Sequence, residues 1–435
     1  MKERHDRAGG EKDDERAEAA STSFFSERPG LNQPQPEDTM RGMETLAIIP
    51  ARGGSVGIPG KNLVPVGGIS LLARSIAAAR QSRQVTRVVV STDDPRIAAE
   101  AGRLGAEVVD RPSDLSGPRA SSESALLQVL DRLEASEGYQ PDRVVFLQCT
   151  SPLTRPEDID GTLERLETTG ADSALTLAPF HSFLWKEAGD GDLTAINHEK
   201  GVRPRRQDRE PQYRENGAVY VMRTGIFRET RSRFCGRTVG YVVPESRAHE
   251  IDEPADLAVA EALVREAERE TRLACLPAHP GAVIFDFDGV FTDNSVIVHG
   301  DGEESIVCSR GDGMGIGLLR KAYSGPLQVL SKEPNPILKQ RCAKLKLPCV
   351  HGIDDKGGYL DRWSAEEGID LRQAIYLGND VNDIPALRRV GCPVVVADAE
   401  PGAIPHARLV LTRNGGRGAV RELCDLIVER LRQGA

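Results

Sequence analysis

The eight cysteines of this sequence, Cys149, Cys235, Cys275, Cys308, Cys342, Cys349, Cys392 and Cys424, include no Cys-x-x-Cys pair. Several sit in apolar runs, so the expectation is buried free thiols in a reducing cytosol, with no disulfide framework and no zinc site. No apolar run reaches roughly 18 residues, which leaves no membrane-spanning helix. The N-terminus lacks the apolar core of a secretion signal, so the cytoplasm is the expected compartment. Positive charge is not in excess either: 56 Lys and Arg stand against 66 Asp and Glu, a formal net charge of −10. That argues against a nucleic-acid binder, which usually shows a basic face. A nucleotide substrate stays open, because phosphates are held by local devices rather than by net charge. There is no short-period internal repeat.

What is present is a chain of 435 residues, long enough for two or three domains with sizeable cores. Residues 1–42 are polar, charged and rich in Gly and Pro, and are expected to form a disordered extension. From Thr45 onward, short apolar runs ending in polar residues alternate with amphipathic helical patterns. The runs are LAIIP (46–50), VVVSTDD (88–94), VVFLQCTSP (144–152), ALTLAP (174–179) and AVYVM (218–222). Such alternation predicts a mostly parallel sheet covered on both faces, with ligands beyond the strand carboxyl ends. A boundary falls near 268–280, and the pattern restarts with AVIFDFDG (282–289), LQVLS (327–331), AIYLGND (374–380) and PVVVAD (393–398). The predicted fold class is α/β: two successive three-layer domains, spanning 43–267 and 280–433.

The first candidate site is the loop ARGGSVGIPGKN (51–62), directly after the first strand. Gly53, Gly54 and Gly57 let the backbone turn and approach a ligand, exposed N–H groups suit an anion, and Arg52 and Lys61 add positive charge. The order G-x-x-x-x-G-K-[ST] is absent, so this is no Walker loop. The loop resembles the signature of the CMP-acylneuraminate synthetases and related cytidylyltransferases. The resemblance continues in order through DRPSDLSGPRASSESAL (110–126), VVFLQCTSPLTRPEDI (144–159), RRQDREPQYRENGAVYV (205–221) and EIDEPADL (250–257).

That resemblance implies CTP binding by Arg52, Gly53, Gly54, Ser55, Lys61 and Asn62, with Arg111, Ser121 and Ser122 near base and ribose. Gln148 would face both nucleotide and sugar. The turn Glu215–Asn216–Gly217 and the stretch Arg205–Arg206–Gln207 would shape the sugar pocket, where guanidinium groups suit a sugar carboxylate. Glu250 and Asp252 match the family's metal position and would hold Mg²⁺ with phosphate oxygens. This sequence departs from the family at three places. Val56 stands where Lys is usual, the Asp-x-Asp pair reads Glu250-Ile-Asp252, and Cys149 replaces Pro after Gln148.

The second candidate site begins where the strand Val283–Phe285 runs into Asp286–Phe287–Asp288–Gly289. A strand ending in D-x-D-G resembles the haloacid dehalogenase-type phosphatases, in which the first Asp attacks phosphorus and the second serves as acid and base. Ser331 would hold a phosphate oxygen, Lys356 would supply a cation, and YLGNDVNDIPAL would supply a metal loop with Asn379, Asp380 and Asp383. With Asp286 and Asp288, Asn379 and Asp380 complete the expected Mg²⁺ site, Asn379 standing where the family commonly has Asp. RGDGMGIGLL (310–319), SKEPN (331–335) and GGRGAVRELCDLI (415–427) narrow the likeness to the 3-deoxy-octulosonate 8-phosphate phosphatase group and its nonulosonate 9-phosphate relatives. The segment between Asp288 and Ser331 has room only for a small β-flap, so neighbouring subunits are expected to close the site in a homotetramer. The GGRG stretch (415–418) reads as flexible enough to close over a site.

Together these features imply an enzyme that joins CMP from CTP to the anomeric hydroxyl of an N-acylneuraminate. A second domain would remove phosphate from the sugar 9-phosphate. The alternatives are a synthetase whose second domain serves mainly for oligomerisation, a cytidylyltransferase for a related sugar (deaminated nonulosonate, legionaminate or octulosonate), and a non-enzymatic nucleotide-sugar sensor. No nucleic acid and no membrane enter any of them.

Overall fold

The computed structural model describes residues 42–55, 57–117 and 120–434. The expectations for residues 1–41 and for Val56 therefore lie outside the described residues.

The β-branched runs form strands. In the first domain, seven of them pair in the spatial order Thr238–Val242, Ser173–Phe180, Gln212–Arg223, Arg143–Leu147, Thr45–Pro50, Arg87–Thr92 and Glu107–Asp110. All neighbours are parallel except Gln212–Arg223, which runs antiparallel to both of its partners. Strand alternation splits the side chains between two faces. Ala47 and Ile49 enter one buried cluster with Val145 and Leu147, while Leu46 and Ile48 enter another with Val144 and Phe146. Each fully buried Ile or Leu contributes roughly 1.5–3 kcal/mol relative to exposure.

The helices over these faces start and stop where their caps dictate. Ser70 accepts from the Ala73 amide ahead of Leu71–Gln81. Asp94 and Pro95 open Pro95–Arg103, and Ser121 caps Ser122–Glu137, which ends at Gly138 with φ 65°. The chain runs outward from the central strand Thr45–Pro50 to Glu107–Asp110. It then returns to Arg143–Leu147 on the other side, so the switch point lies between those two central strands.

The second domain repeats this logic with six parallel strands in the order Cys349–Val350, Leu327–Leu330, Val283–Phe285, Ile375–Gly378, Cys392–Val395 and Leu409–Val410. Its switch point falls between Val283–Phe285 and Ile375–Gly378, the strands that end at Asp286 and Asn379. The expected flap is a small antiparallel hairpin, Ile297–Val298 with Glu304–Ser305.

The helix Pro254–Ala274 ends within the stretch 268–280 where the boundary is expected. Ala260 and Val264 pack into the first domain, while Leu273 joins the core of the second. Arg269 and Arg272 pair with Glu429 and Glu422 of the helix Ala419–Gln433. The GGRG stretch is packed closely against the segment that follows Asp288. Gly415 and Gly416 lie so close to the backbone of Gly289 and Thr292 that a Cβ would collide. Gly416 N–H donates to Val290 O at 2.9 Å, and Arg417 pairs with Asp293 at 2.9 Å. No helix among the described residues is long and apolar enough to cross a membrane, and all eight cysteines are free.

Candidate active sites

The first switch point opens into a cavity of about 410 Å³ lined by Arg52, Ser55, Lys61, Asn62, Arg111, Ser121, Ser122, Gln148 and Asp252, among others. Two distant segments meet there. Lys61 Nζ donates to Ile251 O at 2.6 Å and pairs with Asp252 at 3.3 Å, and a Cβ on Gly57 would lie 2.5 Å from Asp252 O. The glycine-rich loop and the acidic segment thus form one cleft.

Within the loop, Asn62 Nδ2 donates to Arg52 O at 3.0 Å and Arg52 Nη1 donates to Gly117 O at 3.1 Å. Gly53 N–H is already taken by Asp93, at 2.9 Å. It is therefore not free for a phosphate, and the left-handed turn sits at Gly60, φ 63°. Arg111 is buried and bonded to Ser91 through Nε and Nη2, at 3.1 and 2.6 Å. Burial lowers its pKa, and the nearby Asp93 offsets this in part. A guanidinium held this way, with no carboxylate in contact among the described residues, favours an anion beside it.

Glu250 leans over Gly217, whose missing Cβ makes the space, and Gln148 stands at the same glycine. Burial raises the Glu250 pKa, and the neighbouring Asp252 adds to the effect. Two carboxylates one residue apart, of which the half-buried Glu250 resists ionisation, beside a cleft lined with cations, fit Mg²⁺ that completes its shell with phosphate oxygens and water. Asn216 is buried and accepts from Thr176 at 2.6 Å, which fixes the turn. Cys149 lies in the cavity wall, and burial pushes its thiol up to about 12. Arg205, Arg206 and Gln207 do not come to this wall. They are exposed at the short turn Arg206–Asp208, on an excursion from the sheet. Their sequence position between motif residues did not reveal that excursion.

The second cavity, about 390 Å³, is lined by Asp286, Asp288, Ser331, Asn379, Asp380 and residues of the flap, including Glu304. Lys356 is fully buried and lies between Asp286 and Asp383, at 2.8 and 2.7 Å. Asp383 also accepts from Tyr376 Oη at 2.6 Å and Asn379 N at 2.8 Å. Its oxygens are thus committed inside the fold, and it is not the metal-loop ligand expected from sequence. It holds Lys356 in place. Tyr376, which was not singled out from sequence, shares that task; it reads as an ordinary core residue because it lies inside an apolar strand.

Burial and then Asp383 raise the Asp286 pKa to about 8. Burial and then Glu333 raise that of Asp288, which Ser331 Oγ reaches at 3.4 Å. The inner end of the Asn379 amide lies 2.9 Å from Asp288 O and 3.3 Å from Asp286 Oδ2. With nitrogen inward it donates to both. With oxygen inward, it faces Asp288 O and Asp286 Oδ2 at those distances, a set of oxygens that Mg²⁺ would satisfy. Among the described residues no three His, Cys, Asp or Glu side chains are set to hold a metal. The candidate shell here instead mixes carboxylates with a carbonyl and an amide.

The cytidylyltransferase family model matches residues 46–242, and the haloacid dehalogenase-like hydrolase model matches residues 349–423. N-acylneuraminate cytidylyltransferase A of Danio rerio is 30% identical over 393 residues, covering 88% of this chain and 88% of its own length. The chain belongs to the N-acylneuraminate cytidylyltransferase family. Within this family, its likeness to the zebrafish protein runs through both domains. The CMP-N,N'-diacetyllegionaminic acid synthase of Legionella pneumophila is 32% identical over 231 residues, 51% of this chain and 97% of that protein. Among solved structures, the 3-deoxy-D-manno-octulosonate 8-phosphate phosphatase of Yersinia pestis is 30% identical and covers 38% of this chain and 88% of that one, with a TM-score of 0.36. This family member thus carries a cytidylyltransferase domain followed by a haloacid dehalogenase-like domain, both of α/β class.

Proposed function

We propose that the first domain transfers CMP from CTP to the anomeric hydroxyl of an N-acylneuraminate-type sugar and releases pyrophosphate. The sugar oxygen attacks the α-phosphorus, and the bond to the pyrophosphate oxygen breaks. The observation that carries this reading is the meeting of Arg52, Lys61 and Asp252 in one cleft. Arg52, Lys61 and Arg111 would balance phosphate charge, Asn62 holds the loop, and Ser55, Ser121 and Ser122 offer hydroxyls to nucleotide oxygens. Gln148, Glu215 and Asn216 would read the sugar. Glu250 and Asp252 would hold Mg²⁺, which when bound neutralises the charge developing on the phosphates. The protein's contribution is positioning and electrostatics.

The second domain is proposed to hydrolyse a sugar phosphate, with the 9-phosphate of the same sugar as substrate. Asp286 attacks phosphorus, Asp288 protonates the departing sugar oxygen, and water then releases phosphate from Asp286. The raised pKa of Asp288 suits a proton donor. Lys356 and Ser331 would contact phosphate oxygens, with Asp286, Asp288 O, Asn379 and Asp380 holding Mg²⁺. Exposed Val296, Ile297, Val298 and Met314 on and near the flap support assembly through this domain, as a homotetramer. Eight free thiols support a cytoplasmic setting. A second reading, a domain kept mainly for assembly, draws on Asn379, whose amide nitrogen can fill the ion position itself.

The test measures pyrophosphate release from CTP with N-acetylneuraminate beside phosphate release from its 9-phosphate. Asp286→Asn is expected to abolish the second and spare the first. Loss of both together would contradict separate sites, and no phosphate release from the wild type would favour the assembly reading.

A further inference from the structure

Beneath the first cavity, a chain of side chains through Tyr220 and Arg233 connects the start of the helix Ser122–Glu137 to the Glu215–Asn216–Gly217 turn. Phe146 lines the cavity, and its ring stacks on Tyr220 with centroids 5.4 Å apart and planes at 20°. The Arg233 guanidinium lies 4.9 Å from the centroid of each ring. Arg233 Nε donates to Glu123 Oε1 at 2.6 Å. Glu123 sits in the first turn of Ser122–Glu137, the helix whose opening residues Ser121 and Ser122 line the cavity. At the other end, Tyr220 Oη donates to Glu215 Oε2 at 2.9 Å.

That last contact crosses the β-bulge between Glu215 and Tyr220. A bulge re-aims side chains that strict alternation would separate. Here it lets a buried ring deliver its hydroxyl to an exposed carboxylate beside the Glu215–Asn216–Gly217 turn. An exposed ion pair would order little. The Arg233–Glu123 pair is instead largely shielded, with side chains 17% and 19% exposed, and desolvated cation–π contacts hold the guanidinium in place. Burial raises the tyrosine pKa, and the Glu215 hydrogen bond adds to it, so the hydroxyl stays a donor.

We infer that Tyr220 and Arg233 are positioning residues that orient Glu215 toward the acceptor sugar and tie its placement to the helix end that meets the nucleotide. With Oε2 held by Tyr220, the second carboxylate oxygen is left to accept from a sugar hydroxyl or N-acyl N–H. The inference rests on the cytidylyl-transfer reading, so pyrophosphate release by the wild type is measured first; its failure would count against that reading and leave this one without its reaction.

Tyr220→Phe keeps the ring stack and removes only the hydroxyl. It is expected to raise the KM for sugar about tenfold, with the KM for CTP within about twofold. Arg233→Met is expected to raise both KM values, because it frees the helix end as well. Combining Tyr220→Phe with Glu215→Gln is expected to cost no more than the worse single change, as for one shared contact. Equal rises in the two KM values for Tyr220→Phe, no rise at all, or additive losses in the double variant would overturn the inference. CTP-induced thermal stabilisation of each variant separates these outcomes from misfolding.

Discussion

Replacing Asn379 by Asp tests the electrostatics of the second site most directly. In the structure the inner end of the amide is 3.3 Å from Asp286 Oδ2 and 2.9 Å from Asp288 O. With nitrogen inward and no metal, the amide serves both acceptors, and among the described residues Lys356 is the only cation on Asp286. Above about pH 8, where Asp286 is ionised, a carboxylate in the same place removes both donated hydrogen bonds and adds a second negative charge. At 3.3 Å and an effective dielectric constant of about 20, that repulsion is about 5 kcal/mol. Proton uptake and relaxation relieve part of it, leaving about 2–3 kcal/mol of destabilisation. The melting transition of the C-terminal domain should then fall by about 5–10 °C in EDTA. Mg²⁺ reverses the comparison, because a carboxylate binds the ion more strongly than an amide. At about a hundredfold excess over its dissociation constant the ion returns about 2.7 kcal/mol. Calorimetric scans of wild type and Asn379→Asp, each with EDTA and with Mg²⁺, check this. Identical melting in EDTA, or a larger gain from Mg²⁺ in the wild type, would refute the reasoning.

Lys61→Met removes a cation that bridges the phosphate loop and the acidic segment. It is expected to lower kcat for pyrophosphate release by about a hundredfold or more, read by a coupled phosphate assay after pyrophosphatase. Gly217→Ala places a methyl group against the Glu250 carboxylate, at a backbone φ of 60°. The displaced carboxylate should cost about a hundredfold in kcat/KM while phosphate release at the second site is unchanged. In EDTA the second domain should lose stability as pH rises from about 4 to 8. Asp286 titrates at about 8 in the fold against 3.8 as reference, so the folded state holds an extra proton across that window and each step upward favours unfolding. Burial works to lower the Lys356 pKa, but Asp383, joined by Asp286 once that is ionised, outweighs it. Melting temperatures that climb over that range would show Asp286 already ionised in the fold.

Local chemistry wrote much of this molecule into its sequence. Runs such as LAIIP and VVFLQ are short, β-branched and flanked by capping residues, so local pattern alone places the strands and helices. The same runs end in Arg52, Gln148, Asp286 and Asn379, because parallel sheets present their carboxyl ends to ligands. Three things needed the tertiary structure. Asp383 reads as one more acid in a metal loop until Lys356, distant in sequence, is seen to consume its charge. Arg205, Arg206 and Gln207 read as neighbours of the motif residues until the structure places them on an exposed excursion from the sheet, outside the lining of the first cavity. GGRG reads as pliable until its glycines prove to be sites of close backbone packing against Gly289 and Thr292. In each case the sequence determined which groups were available, since periodicity and turn chemistry act over a few residues. The partner that each group met was decided by contacts across tens to hundreds of residues, which no local pattern encodes.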